Sequence, residues 1–124
     1  MKIILPFSIL TFLLSGCAAM SVEQCKTANW LNVGEKDGAA GRESRLDQYY
    51  SSCQKANIIP NQGLYEKGYQ KGLSYYCRPE TIFNEALEGR GDFRVCPLEK
   101  RESLRSYYQV ANDYYQANSE FNRS

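Results

Sequence analysis

Hydrophobic positions recur at helical spacing in four segments of the chain. Apolar or small residues return every three or four positions through residues 23–40, 43–56, 62–76 and 98–121, as they do on one face of an α-helix. Polar side chains occupy most of the remaining positions. The pattern predicts one small all-α domain over residues 23–124 that ends in a long amphipathic helix.

The stretches between these segments contain residues that commonly end helices. Gly41 is expected to end the first helix, so that the first two helices form an antiparallel hairpin. Residues 57–63 form a loop. Pro79 interrupts the chain after the third helix. Beyond it, residues 81–89 predict a short helical turn and residues 89–97 an irregular loop.

Two of the predicted helices carry glycines one turn apart on a single face. Gly34 and Gly38 follow Trp30 at intervals of four residues, and Gly68 and Gly72 repeat this spacing in the third helix. Each interior glycine costs about 1 kcal/mol relative to alanine, so close packing must compensate. Charged residues between the glycines exclude a membrane-embedded helix pair. We expect these faces to pack against neighbouring tyrosines, and the alternative is a groove that admits a ligand.

The N-terminus has the pattern of an export signal. Lys2 precedes an apolar run over residues 3–14, which is too short to span a bilayer and is typical of a secretory signal peptide. The run ends in the letters LSGC, which resemble a bacterial lipobox. Residues 1–16 are therefore predicted to be a lipoprotein signal peptide, Cys17 the lipidation site and residues 17–22 a short lipidated tether.

The balance of charge leaves the lipid as the expected means of membrane attachment. The chain has 15 Lys and Arg against 14 Asp and Glu, and removal of Lys2 leaves 14 of each. A formally neutral chain argues against a general electrostatic affinity for nucleic acid or anionic lipid, because both need clustered Lys and Arg. Ala18, rather than Asp, follows Cys17, which resembles the default for export to the outer membrane. We expect an outer-membrane lipoprotein whose domain faces the periplasm and that binds no nucleic acid.

The four remaining cysteines are expected to form two disulfides. Cys25, Cys53, Cys77 and Cys96 are separated by 28, 24 and 19 residues, whereas a zinc site needs close ligand pairs. Cys25 and Cys53 lie equally far from the predicted hairpin turn, which favours their pairing and leaves Cys77 to pair with Cys96. The other two pairings are the alternatives.

The order of three segments resembles a family of small proteobacterial lipoproteins of unknown function typified by YfiL. The segments are NWLNVGEKDGAAG, GLYEKGYQKGLSYYC and FNEALEGRGDFRVCP, and the resemblance covers residues 25–97. Two motifs carry it, aromatic-x-x-x-Gly-x-x-Asp-Gly and Tyr-x-x-Gly-x-x-x-Gly. Their residues, the predicted helix-packing positions, are Trp30, Gly34, Asp37, Gly38, Tyr65, Gly68 and Gly72. The family brings no known reaction.

The sequence contains few groups suited to catalysis. It has no histidine, which removes the commonest general base and metal ligand. The paired carboxylates at 35 and 37, 85 and 88, and 99 and 102 are expected to be solvated surface charges. Asp37 is the exception, because we expect it to hydrogen-bond a neighbouring helix end, with ligand contact as the alternative. No catalytic residue, metal or cofactor is predicted.

Tyrosine pairs suggest where the domain meets a partner. Eight of the ten tyrosines occur at 49–50, 75–76, 107–108 and 114–115. Adjacent rings on a helix point about 100° apart, so one can face the core while the other lies at its margin. Packing is the first interpretation of these rings and recognition of a partner the second. The candidate recognition surface consists of Tyr107, Tyr108, Tyr114 and Tyr115.

These observations predict a non-enzymatic envelope protein that binds a periplasmic or outer-membrane protein. The alternative is a module that binds envelope glycan, namely peptidoglycan. In that case tyrosine faces would act together with Arg78, Arg90 and Arg94 near the stapled loop.

Overall fold

A computed structural model describes residues 19–123, which form six α-helices and two short 3₁₀ helices without any strand. The predicted all-α, disulfide-stapled fold is confirmed. The predicted signal peptide, residues 1–16, and the predicted lipidation site, Cys17, lie outside the described residues. The helices are α1 Val22–Thr27, α2 Trp30–Ala39, α3 Leu46–Cys53, α4 Gln62–Tyr76, α5 Pro79–Leu87 and α6 Leu98–Arg123, and the 3₁₀ helices are Gln54–Ala56 and Phe93–Val95.

The first predicted helix is divided into α1 and α2. Asn29 adopts an extended backbone, and its side chain accepts a hydrogen bond from the amide of Asn32 at 3.2 Å. Asparagine is a favoured N-cap because its side chain satisfies an amide that the helix leaves unpaired. Ser21 and Gln24 form a capping box at the start of α1. The chain therefore begins a new helix at Trp30.

Most of the predicted turn at residues 81–89 belongs to a nine-residue helix, α5, which ends at Leu87. Pro79 does not merely interrupt the chain, because it is the first residue of this helix. Proline favours that position, since it has no amide hydrogen to leave unpaired and its φ is already helical.

The structure differs from the predicted hairpin in the main partner of α2, which is α4 rather than α3. Gly41 ends this helical segment as expected, with a φ of +70°. The amide of Arg42 donates to the carbonyl of Asp37 at 3.1 Å and the amide of Gly41 to that of Gly38 at 3.0 Å, which is a Schellman ending. α3 then follows and returns towards α1.

Both predicted disulfides are confirmed. Cys25 pairs with Cys53 and Cys77 with Cys96, with Cα atoms 5.6 and 5.7 Å apart. The first bond joins α1 to the end of α3, and the second closes the segment that contains α5. Within residues 19–123, no helix has both the length and the apolar character needed to cross a bilayer.

Two groups of buried side chains form the core, one at each end of α4. Ala19 and Met20 pack against the first cluster, and α4 contributes Tyr65 to the first cluster and Tyr76 to the second. The first cluster contains Cys25, Trp30, Leu46, Tyr49, Cys53 and Tyr65. The second contains Leu73, Tyr76, Cys77, Ile82, Cys96 and Leu104.

Candidate functional site

The two glycine motifs face each other across the contact between α2 and α4. A Cβ on Gly34 would lie 2.8 Å from the amide nitrogen of Tyr69, and one on Gly38 would lie 2.8 Å from that of Leu73. A side chain on Gly68 or Gly72 would overlap the backbone of α2 in the same way. The two stripes therefore fill each other, and no groove for a ligand lies between them. The glycines approach backbone atoms rather than tyrosine rings, which is the difference from the prediction.

Asp37 is the buried polar centre of this helix pair. It is 3% exposed, and its Oδ2 accepts hydrogen bonds from the hydroxyls of Tyr49 at 2.7 Å and Tyr65 at 2.8 Å. Arg42 lies 3.7 Å from the other carboxylate oxygen. The carboxylate thus joins α2, α3 and α4, although the sequence predicted a helix end as its partner.

The tyrosines around Asp37 form a continuous row of rings. Trp30 lies 5.9 Å from Tyr49, Tyr49 lies 5.8 Å from Tyr65, and Tyr65 stacks on Tyr69 at 6.0 Å between centroids. The hydroxyl of Tyr65 also accepts the amide hydrogen of Arg45 at 3.0 Å. Such ring pairs stabilise a core beyond their buried area.

Burial controls the ionisation of these hydroxyls. Desolvation, and to a smaller extent the hydrogen bond to Asp37, raises the pKa of Tyr49 to about 12. Desolvation also raises the pKa of Tyr65. Both rings therefore stay neutral hydrogen-bond donors at physiological pH, and they suit a structural role for Asp37 rather than proton transfer.

The buried polar side chains of the motif region are all hydrogen-bonded within the fold. Within residues 19–123, every buried side-chain nitrogen and oxygen has a hydrogen-bond partner. Lys71 also lies 3.6 Å from Glu35 across the helix contact. The predicted helix-packing residues are thus brought together in one place and are fully used by the fold.

A different face remains available for binding, and it lies on α6. Tyr107, Val110 and Tyr114 are 46%, 64% and 63% exposed, and Ala117 is exposed as well. We call these four residues the outer stripe. Phe83 of α5 lies beside Tyr107 and Val110, where the two helices form a shallow hollow lined mainly by carbon.

The structure divides the predicted recognition surface between two faces of α6. Tyr107 and Tyr114 belong to the outer stripe. Tyr108 instead packs on Phe93, with centroids 5.3 Å apart, and a side chain on Gly89 would collide with the ring of Tyr115. Tyr108 and Tyr115 therefore serve the domain itself, and two of the four predicted residues are presented to solvent.

The comparison with known protein families adds one finding. Residues 29–113 match the family described as Protein of unknown function (DUF2799). The chain belongs to this family. No curated protein and no solved structure matches it. The DUF2799 match contains both glycine motifs, Asp37 and the outer stripe as far as Val110.

Five charged side chains between Cys77 and Cys96 of this DUF2799 protein form ion pairs at the surface. Arg90 lies 3.4 Å from Glu85 and 2.7 Å from Glu88, and Arg94 lies 2.9 Å from Asp92. In the described part of the chain, no three His, Cys, Asp or Glu side chains are grouped so that they could hold a metal ion.

Sequence reasoning did not identify Tyr49, Phe83 or Val110 as members of these sites. Tyr49 could have been recognised as a buried residue from the sequence, because it lies on the apolar face of its helix. Phe83 and Val110 became visible only when the packing of α5 against α6 showed which side of α6 stays exposed.

Proposed function

We propose that the protein is a non-enzymatic lipoprotein of the proteobacterial outer membrane, of the type represented by YfiL, that binds an envelope protein through the outer stripe. The observation that carries the binding proposal is the exposure of Tyr107, Val110 and Tyr114 in a row on one helix. Tyrosine is enriched in protein interfaces because its ring buries well and its hydroxyl tolerates water.

The proposed membrane anchor is supported by the residues that follow it. Cys17 ends the LSGC sequence, and Ala19 and Met20 already pack against the first cluster. Acyl chains on Cys17 would therefore hold the domain close to the bilayer. Two or three such chains anchor a protein durably. We expect Cys17→Ser to move the protein from the membrane fraction to the soluble fraction. Retention of the variant in the membrane fraction would contradict a lipid anchor.

The absence of a catalytic role is supported by composition and by charge pairing. The chain contains no histidine. The carboxylates of Glu85 and Glu88 both lie against Arg90 at the surface of the domain, where neither is sheltered from water.

Site-specific crosslinking tests the binding proposal. A photoreactive amino acid at Tyr107 or Tyr114 should capture a defined protein in living cells. The control position is Gln116, which is exposed on the same helix but lies outside the outer stripe. Equal capture from Gln116, or none from the stripe, would contradict binding through this face.

Peptidoglycan binding is the alternative, and a sedimentation assay with isolated peptidoglycan separates it from protein binding. The structure pairs two of the three arginines predicted for glycan contact, Arg90 and Arg94, with acidic neighbours. Co-sedimentation that is lost in Arg78→Gln, the variant of the third arginine, would favour the glycan.

A further inference from the structure

We propose that the outer stripe pairs with the outer stripe of a second copy of the same chain, in a parallel arrangement of the two α6 helices. This inference rests on the proposed function, since it names the partner of that surface. It requires that α6 carry a second apolar face, that α5 leave part of α6 uncovered, and that the charges permit parallel pairing.

α6 has two separate apolar faces. Leu104 and Ala111 are buried in the domain, whereas Tyr107 and Val110 belong to the exposed outer stripe. Intervals of three, four and three residues separate the four stripe residues, which is the spacing of alternating a and d positions in a coiled coil. The stripe therefore has the geometry that a second helix of the same kind fits.

Helix length leaves room for this second helix. With a rise of about 1.5 Å per residue, the 26 residues of α6 extend about 39 Å, whereas the nine residues of α5 extend about 13 Å. α5 can therefore cover only part of α6.

Charge favours a parallel pair in register. The two tyrosines of the stripe occupy a positions, and Val110 and Ala117 occupy d positions. In a parallel pair, the residue before an a position faces the e position of the other helix. Asp113 precedes Tyr114, and the facing position is Asn118 of the second copy. This contact brings no like charges together. The e position of the preceding heptad is Ala111, which is buried in the domain.

Antiparallel pairing brings acidic residues together instead. Stacking Tyr114 on Val110 of the second copy places Asp113 against Asp113. If the second helix is shifted by one heptad, Glu120 lies against Glu99 of the other copy. If it is shifted by one heptad in the opposite direction, Glu120 lies against Asp113 of the other copy. Like charges at these flanking positions oppose pairing. The three antiparallel registers that stack the stripe are therefore disfavoured.

The contact is too small for a strong dimer in solution. Aromatic side chains bury about 150–250 Å² each, so the exposed parts of Tyr107, Val110 and Tyr114 offer roughly 300 Å² per copy. A stable interface buries about 1,200 Å² or more in total. Confinement to one membrane raises the effective concentration of a second copy. Pairing is accordingly expected in the membrane and is expected to weaken severalfold when the domain is released.

Disulfide trapping of the full chain in membranes tests this proposal. Val110→Cys and Ala117→Cys, made one at a time, should both form crosslinked homodimers under mild oxidation. Gln109→Cys and Gln116→Cys are the matched controls, since each is exposed beside a stripe residue, and they should crosslink severalfold less. In a parallel pair, every stripe residue lies next to the same residue of the second chain. In an antiparallel pair, only residues near the two-fold axis do so.

Each outcome has a distinct meaning. Crosslinking at both stripe positions, abolished by adding Tyr114→Asp, supports the parallel pair. Crosslinking at Val110 or Ala117 alone, equal crosslinking of the controls, or capture of a different protein overturns it. Fractionation of the same cells separates the two proposals. Membrane-bound protein without a dimer contradicts the pairing alone, whereas protein absent from the membrane fraction contradicts the anchor and with it the confinement on which pairing depends.

Discussion

Replacement of Gly72 by alanine tests whether the glycine contact holds the domain together. A Cβ at this position would lie 2.5 Å from the amide nitrogen of Ala39 and would overlap the carbonyl oxygen of Glu35. Both atoms belong to the backbone of α2, so no side-chain rotation can make room. The two helices would have to separate by about 1 Å to restore ordinary contact distances.

The expected effect is a net loss of about 2 kcal/mol in the free energy of unfolding. Overpacking a close contact costs about 1–3 kcal/mol, and an obstacle made of backbone places Gly72→Ala near the upper end of that range. Alanine offsets up to about 1 kcal/mol of this cost because it is the better helix former. For a domain of this size, a loss of about 2 kcal/mol lowers the melting temperature by about 10 °C.

Gly63→Ala is the control, because it makes the same substitution in the same helix. A Cβ on Gly63 would meet nothing closer than the side chain of Asn61 at 3.7 Å. This variant should be as stable as the parent or slightly more stable. Urea unfolding followed by circular dichroism, with both disulfides intact, measures the difference. A Gly72→Ala protein that is no less stable than Gly63→Ala would refute the proposed role of the glycine contact.

Three further predictions concern the buried polar centre and the second disulfide. Asp37→Ala should cost about 2–5 kcal/mol, since it leaves two buried tyrosine hydroxyls without an acceptor, whereas Asp113→Ala on the surface should change unfolding by less than about 0.5 kcal/mol. Raising the pH from about 10 to about 12 should destabilise the domain, because tyrosine ionises near 10 when unfolded while Tyr49 does so at about 12 when folded. The unfolded chain then binds fewer protons than the native one, so this tyrosine's contribution is complete below pH 10 and falls by about 1.4 kcal/mol per pH unit as the pH rises towards 12. Urea unfolding at several pH values should show a shallower decline for Tyr49→Phe, and an unchanged slope would contradict the buried hydroxyl. Joint replacement of Cys77 and Cys96 by serine should cost about 3 kcal/mol, measured by thermal unfolding, and a smaller loss than about 1 kcal/mol would mean that α5 and its flanking loop order themselves.

The sequence predicted the helical faces well because periodicity is a local property. It identified the two glycine motifs and the faces on which they lie, and it predicted both disulfides. It could not show which faces meet, because periodicity says nothing about the partner of a face. The shared spacing of Gly34 and Gly38 with Gly68 and Gly72 was a signal that these two stripes fit each other.

Local chemistry explains the helix boundaries that the pattern missed. Periodicity continues from α1 into α2, so it conceals the break at Asn29, where a side-chain cap starts a new helix. Pro79 was interpreted as an interruption, although the same residue is well suited to begin a helix. In both cases one residue permits two opposite outcomes, and the packing of the neighbouring segments decides between them.

The candidate sites differ in how far sequence alone could define them. Asp37 stood out as a carboxylate among glycines, but its partners come from α3 and α4, and their approach depends on the whole fold. The outer stripe lies on a helix in which, from the sequence alone, either member of each tyrosine pair could have faced the core. Only the packing of Phe93 on Tyr108, together with the burial of Leu104 and Ala111, assigns one face of α6 to the domain and leaves the other exposed to solvent. The family match includes the whole glycine contact together with Tyr107 and Val110 of the stripe, and it ends within α6. The contact between α2 and α4 is therefore the part that builds the domain, and the exposed half of α6 is the part on which binding experiments should concentrate.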